Sequence, residues 1–194
     1  MSHVSNNASI KNLSLAAMFI AIGILLPFLT GQIPEIGRML LPMHIPVLLC
    51  GLICGKRYGL IVGFILPLMR GFMFGMPVLF PMGVAMAFEL ATYGFVIGLI
   101  YSSSRWQCII ALYRALIAAM VVGRVVWGTA MLLLLGLSGS GIFTWQMFIG
   151  GAVVNAIPGI ILQITLIPVI MVALNRTGLV KFHRERPAES GVEN

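Results

Sequence analysis

The chain has 194 residues, of which 60% are hydrophobic and 9% are charged, and its formal net charge is +7. A soluble domain carries about 25% charged residues, so this composition excludes a soluble globular protein and indicates an integral membrane protein. The apolar runs are long and do not alternate with a period of two residues, which favours a helical bundle over a β-barrel.

Six apolar segments follow one another along the chain. Their cores lie at 13–29, 39–55, 58–76, 80–101, 108–136 and 145–174. A membrane-spanning helix needs about 20 residues, so the second segment is short, and the last two are long enough to tilt or kink. The sequence therefore predicts an all-α membrane domain of six transmembrane helices over 13–174. A cytoplasmic amino-terminal segment (1–12) precedes this domain, and a basic, then disordered cytoplasmic tail (175–194) follows it.

The basic residues predict the orientation of these helices. If the amino terminus is cytoplasmic, eight of the 12 Lys and Arg residues fall at cytoplasmic positions: Lys11, Lys56, Arg57, Arg105, Arg176, Lys181, Arg184 and Arg186. The outer loops then hold Arg38 alone. By the positive-inside rule both termini are cytoplasmic, and this topology explains the net charge better than a nucleic-acid partner does.

The second segment carries an imidazole between two prolines. His44 lies between Pro42 and Pro46. A titratable group at membrane depth is costly and usually faces the interior of the bundle or a pathway. Each proline lacks an N–H and leaves a backbone carbonyl without its helical partner, which lipid cannot satisfy. We therefore expect the outer end of this helix to form a polar, slightly unwound wall of a cavity.

Five polar side chains on five segments fall in the outer half of the membrane or at its midplane. A rise of about 1.5 Å per residue, counted from the predicted helix ends, places them roughly 8 to 18 Å deep. They are His44, Arg70, Glu89, Arg124 and Asn155. Because they come from five helices at similar depth, we predict that they line one substrate-binding site.

The charges of these residues do not balance. Glu89 is the only acid inside a predicted helix, and we expect it to pair with Arg70 or Arg124. The surplus positive charge predicts a ligand with an anionic group, for which a guanidinium offers a bidentate fork. The alternative is that one arginine snorkels or caps carbonyls of a kinked helix. Trp127, one turn outward of Arg124, would let a flat or amphipathic ligand stack.

Stripes of small residues predict where helices approach one another closely. The first helix carries Ala17 and Ala21. Two longer stripes are Gly51, Gly55, Gly59 and Gly63, and Ala111, Ala115, Ala119 and Gly123. Such stripes serve either packing within the bundle or docking of another membrane subunit, and both alternatives stay open.

No motif of a common enzyme class occurs in the sequence. The chain has no phosphate-binding loop, no His-Glu-x-x-His and no aspartate, and no histidine cluster accompanies its three cysteines. We therefore predict no catalytic residue, cofactor or metal ion. Uphill transport by this chain would need energy from a partner or an ion gradient.

Two stretches resemble the substrate-binding S component of energy-coupling factor (ECF) transporters, of the vitamin type. Residues 15–21 (Leu-Ala-Ala-Met-Phe-Ile-Ala) look like the family's Ala-x-x-x-Ala motif, and residues 41–55 are similar to its second-helix region. The resemblance implies capture of a vitamin or precursor from outside the cell. It also implies that Ala17 and Ala21 contact the transmembrane T component, in a complex with two ATPase subunits in a prokaryotic plasma membrane.

The substrate that these observations favour is a small carboxylate-bearing vitamin or precursor, such as pantothenate or a nicotinate-like acid. Three other functions stay open. The chain could be a non-transport scaffold of the envelope or cell-shape machinery, a small membrane enzyme, or a stand-alone secondary carrier. The sequence alone does not identify the vitamin.

Overall fold

A computed structural model describes residues 2–29, 41–104, 108–138, 150 and 156–176 of the chain. Within these ranges the chain forms six α-helices and a short turn, without a β-strand. The helices are α1 (Ser2–Leu29), α2 (His44–Cys54), α3 (Lys56–Phe74), α4 (Val84–Ser103), α5 (Ile109–Ser138) and α6 (Ile157–Arg176). The turn, Leu79–Gly83, leads directly into α4, and its Phe80 has an extended backbone with φ −120° and ψ 132°. The predicted all-α membrane bundle is confirmed.

Helix α2 is much shorter than the other five helices, each of which is long and apolar enough to cross a membrane. Its 11 residues rise about 17 Å, whereas the hydrocarbon core of a bilayer is about 30 Å thick. Gly55 alone separates α2 from α3, with a φ of 90° that favours glycine. The pair α2–α3 is therefore a tight hairpin with one short arm.

The predicted segment 39–55 is longer than α2 because residues 41–43 are not helical. Leu41 has a φ of 49°, and Pro42 and Met43 form a turn. A proline disfavours the α conformation of the residue before it. Pro46 lies in the first turn of α2, where a missing N–H costs no intrahelical bond. The irregular backbone thus precedes His44, and Pro46 fits a regular helix.

The other boundaries follow the predicted segments, with two differences. Helix α1 begins at Ser2, well before the predicted core at residue 13, because apolar residues mark the part of a helix in lipid rather than the whole helix. Helix α6 begins at Ile157, and residues 145–149 and 151–155 of its predicted segment lie outside the described residues. Pro158 falls in the first turn of α6, where proline is tolerated.

Helix α4 occupies the centre of the bundle and packs against α2, α3 and α5. At its crossing with α3, Gly94 and Gly59 bring the two backbones so close that a Cβ on Gly94 would overlap the Gly59 carbonyl. Gly51 and Gly63 meet the backbone of α4 in the same way. These contacts show that Gly51, Gly59 and Gly63 of the glycine stripe pack within the bundle, as small residues allow in lipid.

The two alanine stripes differ in their burial. The stripe on α5 lies in the core, with Ala111, Ala115 and Ala119 all buried. By contrast, Ala17 and Ala21 are exposed. Helix α1 packs on α2 and α3 with a different face, which carries Ala16, Phe19 and Gly23. The stripe on α1 therefore points away from the bundle.

Candidate functional site

An ion pair between Glu89 and Arg124 lies in the middle of the bundle. The Nη1 of Arg124 is 2.9 Å from the Oε1 of Glu89, and Glu89 is only 1% exposed. Counted from the ends Ser103 and Ile109, both residues are about 21 to 23 Å along their antiparallel helices, so α4 and α5 bring them level. The predicted pairing of Glu89 with an arginine is confirmed, and Arg124 is its partner.

Two aromatic rings complete a polar group around this ion pair. The Nε2 of His44, in the first turn of α2, is 3.7 Å from the Oε1 of Glu89, too long for a hydrogen bond. The ring of His44 meets that of Tyr93 edge to face, with 5.1 Å between centroids. On α5, Gly123 has no side chain and so leaves room for the ring of Tyr93, which extends from α4. We call these four side chains, His44, Glu89, Tyr93 and Arg124, the Glu89 cluster.

The Glu89 cluster contains buried polar atoms that have no hydrogen-bond partner within the described part of the chain. They are the Nε and Nη2 of Arg124 and both ring nitrogens of His44. The Nε–H and one Nη2–H of a guanidinium point the same way and form a fork that binds a carboxylate through two parallel bonds. Arg124 therefore uses Nη1 for Glu89 and keeps this fork for another acceptor.

Apolar side chains line α4 and α5 beyond the ion pair, on the side away from Ser103 and Ile109. Trp127 lies one turn beyond Arg124 along α5 and is buried together with Ala85 and Met131. Met82 packs against the edge of this group. An aromatic ring and two thioethers next to a guanidinium fork would receive the apolar part of an amphipathic ligand.

Arg70 lies apart from the Glu89 cluster and contacts α1 instead. Its Nη1 donates a hydrogen bond of 2.7 Å to the carbonyl oxygen of Ile24. The guanidinium carbon is 5.2 Å from the ring centroid of Phe28 and 5.5 Å from that of Phe74. Arg70 thus takes the alternative role considered above, in which an arginine caps a helix carbonyl. Its contribution to ligand binding stays a prediction.

The structure also buries an amide that the sequence analysis did not select. Gln163 on α6 is 1% exposed, and its Nε2 lacks a hydrogen-bond partner among the residues that the structure describes. A signal for it was present, because Gln163 lies four residues from both Gly159 and Ile167 on the buried face of α6. The selected amide, Asn155, lies outside the described residues.

The three cysteines are unpaired, and only one of them is accessible. Cys50 and Cys54 are buried, whereas Cys108 is exposed just before α5. The backbone N–H groups of Ala111 and Ile110 hydrogen-bond the Cys108 sulfur and lower the pKa of this thiol. In the described ranges, no group of three or more His, Cys, Asp or Glu side chains could hold a metal ion.

The match to a protein family agrees with this arrangement of a polar group inside an apolar bundle. Residues 11–171 match the family model described as ECF transporter, substrate-specific component. The chain belongs to this family. No curated protein and no solved structure matches it. The matched range includes all four residues of the Glu89 cluster, and also Arg70, Trp127 and Gln163.

Membership confirms the resemblance drawn from residues 15–21 and 41–55. This S component is a multi-pass membrane protein and a substrate-binding subunit of an ECF transporter. The family implies a small-molecule substrate and a complex with T and ATPase components. The candidate site for the substrate is the Glu89 cluster with its apolar neighbours on α4 and α5.

Proposed function

We propose that this S component captures a small carboxylate-bearing vitamin or precursor from outside the cell and that Arg124 binds its carboxylate. The observation that carries the proposal is the Nε/Nη2 fork of Arg124, which has no partner among the described residues and lies beside an Nη1 that is already paired with Glu89. An unmade hydrogen bond on a buried charged donor is costly. A carboxylate satisfies both donors at once, and a neutral carbonyl satisfies them less well.

Each remaining member of the Glu89 cluster has a defined part in this proposal. Glu89 fixes the plane of the guanidinium, so that the fork is held ready before the ligand arrives. The ring of His44, whose nitrogens lack a partner among the described residues, would donate a hydrogen bond to the bound carboxylate. Tyr93 packs between His44 and Gly123 and keeps the imidazole in place. These roles place His44, Glu89 and Arg124 in one binding unit.

The apolar part of the ligand would lie on the outer side of this unit. Trp127 and Met131 are buried there with Met82 nearby. Arg70 and Asn155 stay predicted binding residues, the first because of its charge and the second because of its predicted depth. The bilayer in which the ligand is captured would be a prokaryotic plasma membrane, with both termini of the chain in the cytoplasm.

Coupling to ATP hydrolysis would take place at the exposed face of α1. Ala17 and Ala21 are small and exposed there, and a stripe of this kind allows another membrane helix to approach closely. We propose that a helix of the T component packs on this stripe and that two ATPase subunits supply the energy. Uptake into liposomes by the chain alone would instead favour a stand-alone carrier.

The test compares acids with neutral analogues of the same shape. Pantothenate is paired with pantothenol, and nicotinate is paired with nicotinamide, and each is titrated into the purified protein by calorimetry. We expect the wild-type protein to prefer an acid over its neutral partner. Arg124→Gln should weaken binding of the acid by about 30-fold or more, because truncating a buried charge partner costs about 2–5 kcal/mol. Its effect on the neutral analogue should be small.

The matched control is Arg114→Gln, because Arg114 is an exposed arginine on the same helix. This variant should bind the acid as the wild-type protein does. Unchanged affinity of Arg124→Gln for the acid would contradict the proposal. So would a tightly held cation, identified by mass spectrometry as the ligand that stays bound through purification.

A further inference from the structure

We infer that Gln163 on α6 is a further substrate-binding residue, whose side-chain amide donates a hydrogen bond to a second acceptor atom of the ligand. The inference deepens the proposed function and rests on it, because the first acceptor is the carboxylate on Arg124. It defines the ligand more narrowly, as a carboxylic acid with a hydroxyl, amide or ring-nitrogen acceptor separate from its carboxylate.

The position of Gln163 in α6 supports this inference. Four of the five buried residues of α6 recur at intervals of four, namely Gly159, Gln163, Ile167 and Met171, and the fifth is Pro168. Helix α6 packs against α2 and α5, which carry His44 and Arg124. Gln163 is therefore the polar member of the face that α6 turns towards the two helices of the site.

The depth of Gln163 also matches that of the Glu89 cluster. Counted back from Arg176, at the cytoplasmic end of α6, Gln163 lies about 20 Å along the helix. Arg124 and Glu89 lie about 21 to 23 Å from the corresponding ends of α5 and α4. A ligand whose carboxylate rests on Arg124 would therefore meet α6 at the level of Gln163.

The unpartnered amide indicates a ligand rather than a structural role. Gln163 is 1% exposed, yet its Nε2, with two N–H donors, has no hydrogen-bond partner in the part of the chain that the structure describes. A glutamine that stabilised helix packing would use these donors within the bundle. The Nε2 of Gln163 resembles the Arg124 fork in this respect, since both are buried donors that lack an acceptor.

The test uses two pairs of acids, in each of which one acid has acceptor atoms separate from its carboxylate and the other has none. Pantothenate is compared with hexanoate, and nicotinate with benzoate, which lacks the ring nitrogen. Binding to Gln163→Leu and to Gln163→Glu is measured by calorimetry in purified full-length protein. We expect Gln163→Leu to weaken binding of the acid with the second acceptor by about 10-fold. Binding of the matched acid without that acceptor should change by less than about twofold.

Stability of the ligand-free variant separates binding from a structural role. Because leucine removes a buried, unpartnered amide, Gln163→Leu should unfold at the same temperature as the wild-type protein or higher. The matched control is Thr165→Val on the same helix. The Thr165 hydroxyl is exposed and donates a hydrogen bond to the Ile161 carbonyl. Its loss should therefore leave the binding affinity for both acids of a pair unchanged.

Three outcomes would overturn the inference. Gln163→Leu could bind both acids of a pair with the affinity of the wild-type protein. It could instead lose affinity for both acids equally. It could also unfold at a lower temperature than the wild-type protein in the absence of ligand. If Arg124→Gln still loses the acid in these cases, the proposed function stands and only the role of Gln163 fails. A wild-type protein that binds none of the four acids contradicts both.

Discussion

Two arginines inside this bundle, Arg70 and Arg124, have opposite surroundings. Arg124 joins the central helices α4 and α5 through a carboxylate, and two of its nitrogens stay unpartnered among the described residues. Arg70 joins the peripheral helix α1 to α3 through a backbone carbonyl and two phenylalanine rings. A guanidinium at membrane depth can therefore hold helices together, or it can keep hydrogen-bond donors available for a ligand. The atoms that the guanidinium contacts indicate which of the two roles it has.

The difference also separates two regions of the molecule. The central region holds the Glu89 cluster and the close glycine contacts of α3 with α4, which keep the site rigid. The peripheral region consists of α1, whose outer face carries exposed small residues and whose end is attached by Arg70. We propose that the substrate is captured in the first region and that a partner docks on the second, and the four predictions below test this division.

The largest effect is expected from Glu89→Leu. This change leaves Arg124 buried without its anion and should lower the free energy of unfolding by about 3–5 kcal/mol. The double variant Glu89→Leu with Arg124→Leu should recover much of that stability, because it removes both charges, but it should not bind the acid. Thermal unfolding in detergent measures both effects. A single variant as stable as the wild-type protein would show that Glu89 does not hold Arg124.

A smaller loss of stability is expected from Arg70→Gln. It removes a charged hydrogen bond to Ile24 and the contacts with two rings, which together contribute about 2–3 kcal/mol. The preference for an acid over its neutral analogue should persist, in contrast to Arg124→Gln. Arg70→Lys, which keeps the charge without the planar guanidinium, should fall between wild type and Arg70→Gln in unfolding temperature. Loss of acid preference in Arg70→Gln would show that Arg70 also contacts the ligand.

Substitution of the exposed stripe on α1 should leave the isolated protein almost unchanged. Ala17→Leu with Ala21→Leu should alter the free energy of unfolding by less than about 0.5 kcal/mol and leave ligand affinity as it is. ATP-driven uptake by the assembled transporter should be lost, because larger side chains prevent close helix contact. The control is Val169→Leu, at a 65% exposed site on α6. Normal uptake by the α1 variant would show that the T component does not dock on the Ala17/Ala21 stripe.

The predicted membrane topology of the chain can be tested by labelling Cys108, which needs no substitution that alters the stability of the protein. Cys108 is exposed before α5, so a membrane-impermeant maleimide should label it from the cytoplasmic side only. Because backbone N–H groups lower the pKa of this thiol, labelling should persist to a lower pH than for an ordinary cysteine and decline as the thiolate is protonated. Cys108→Ser removes the signal. Labelling from the outside would reverse the predicted topology.

The all-α bundle and the pairing of Glu89 could be predicted because both follow from strong requirements of lipid. A long apolar run has to be a helix, and a lone carboxylate has to find a cation. The choice of Arg124 over Arg70 could not be predicted, since it depends on which helices are neighbours. The partner of Arg70 is a backbone carbonyl, which leaves no trace in the pattern of side chains. Gln163 was missed because its burial depends on which face of α6 packs against the bundle.

The shortness of α2 has a consequence for the geometry of capture. His44 begins this helix, and Gly55 ends it, so the number of residues between them sets both the height and the direction of the imidazole. A single deletion within α2 would turn His44 by about 100° and lower it by about 1.5 Å. Seven added residues would restore the direction but raise the ring by about 10 Å, away from Glu89. The helix thus works as a spacer of fixed length, and its residue count matters to the site as much as any side chain.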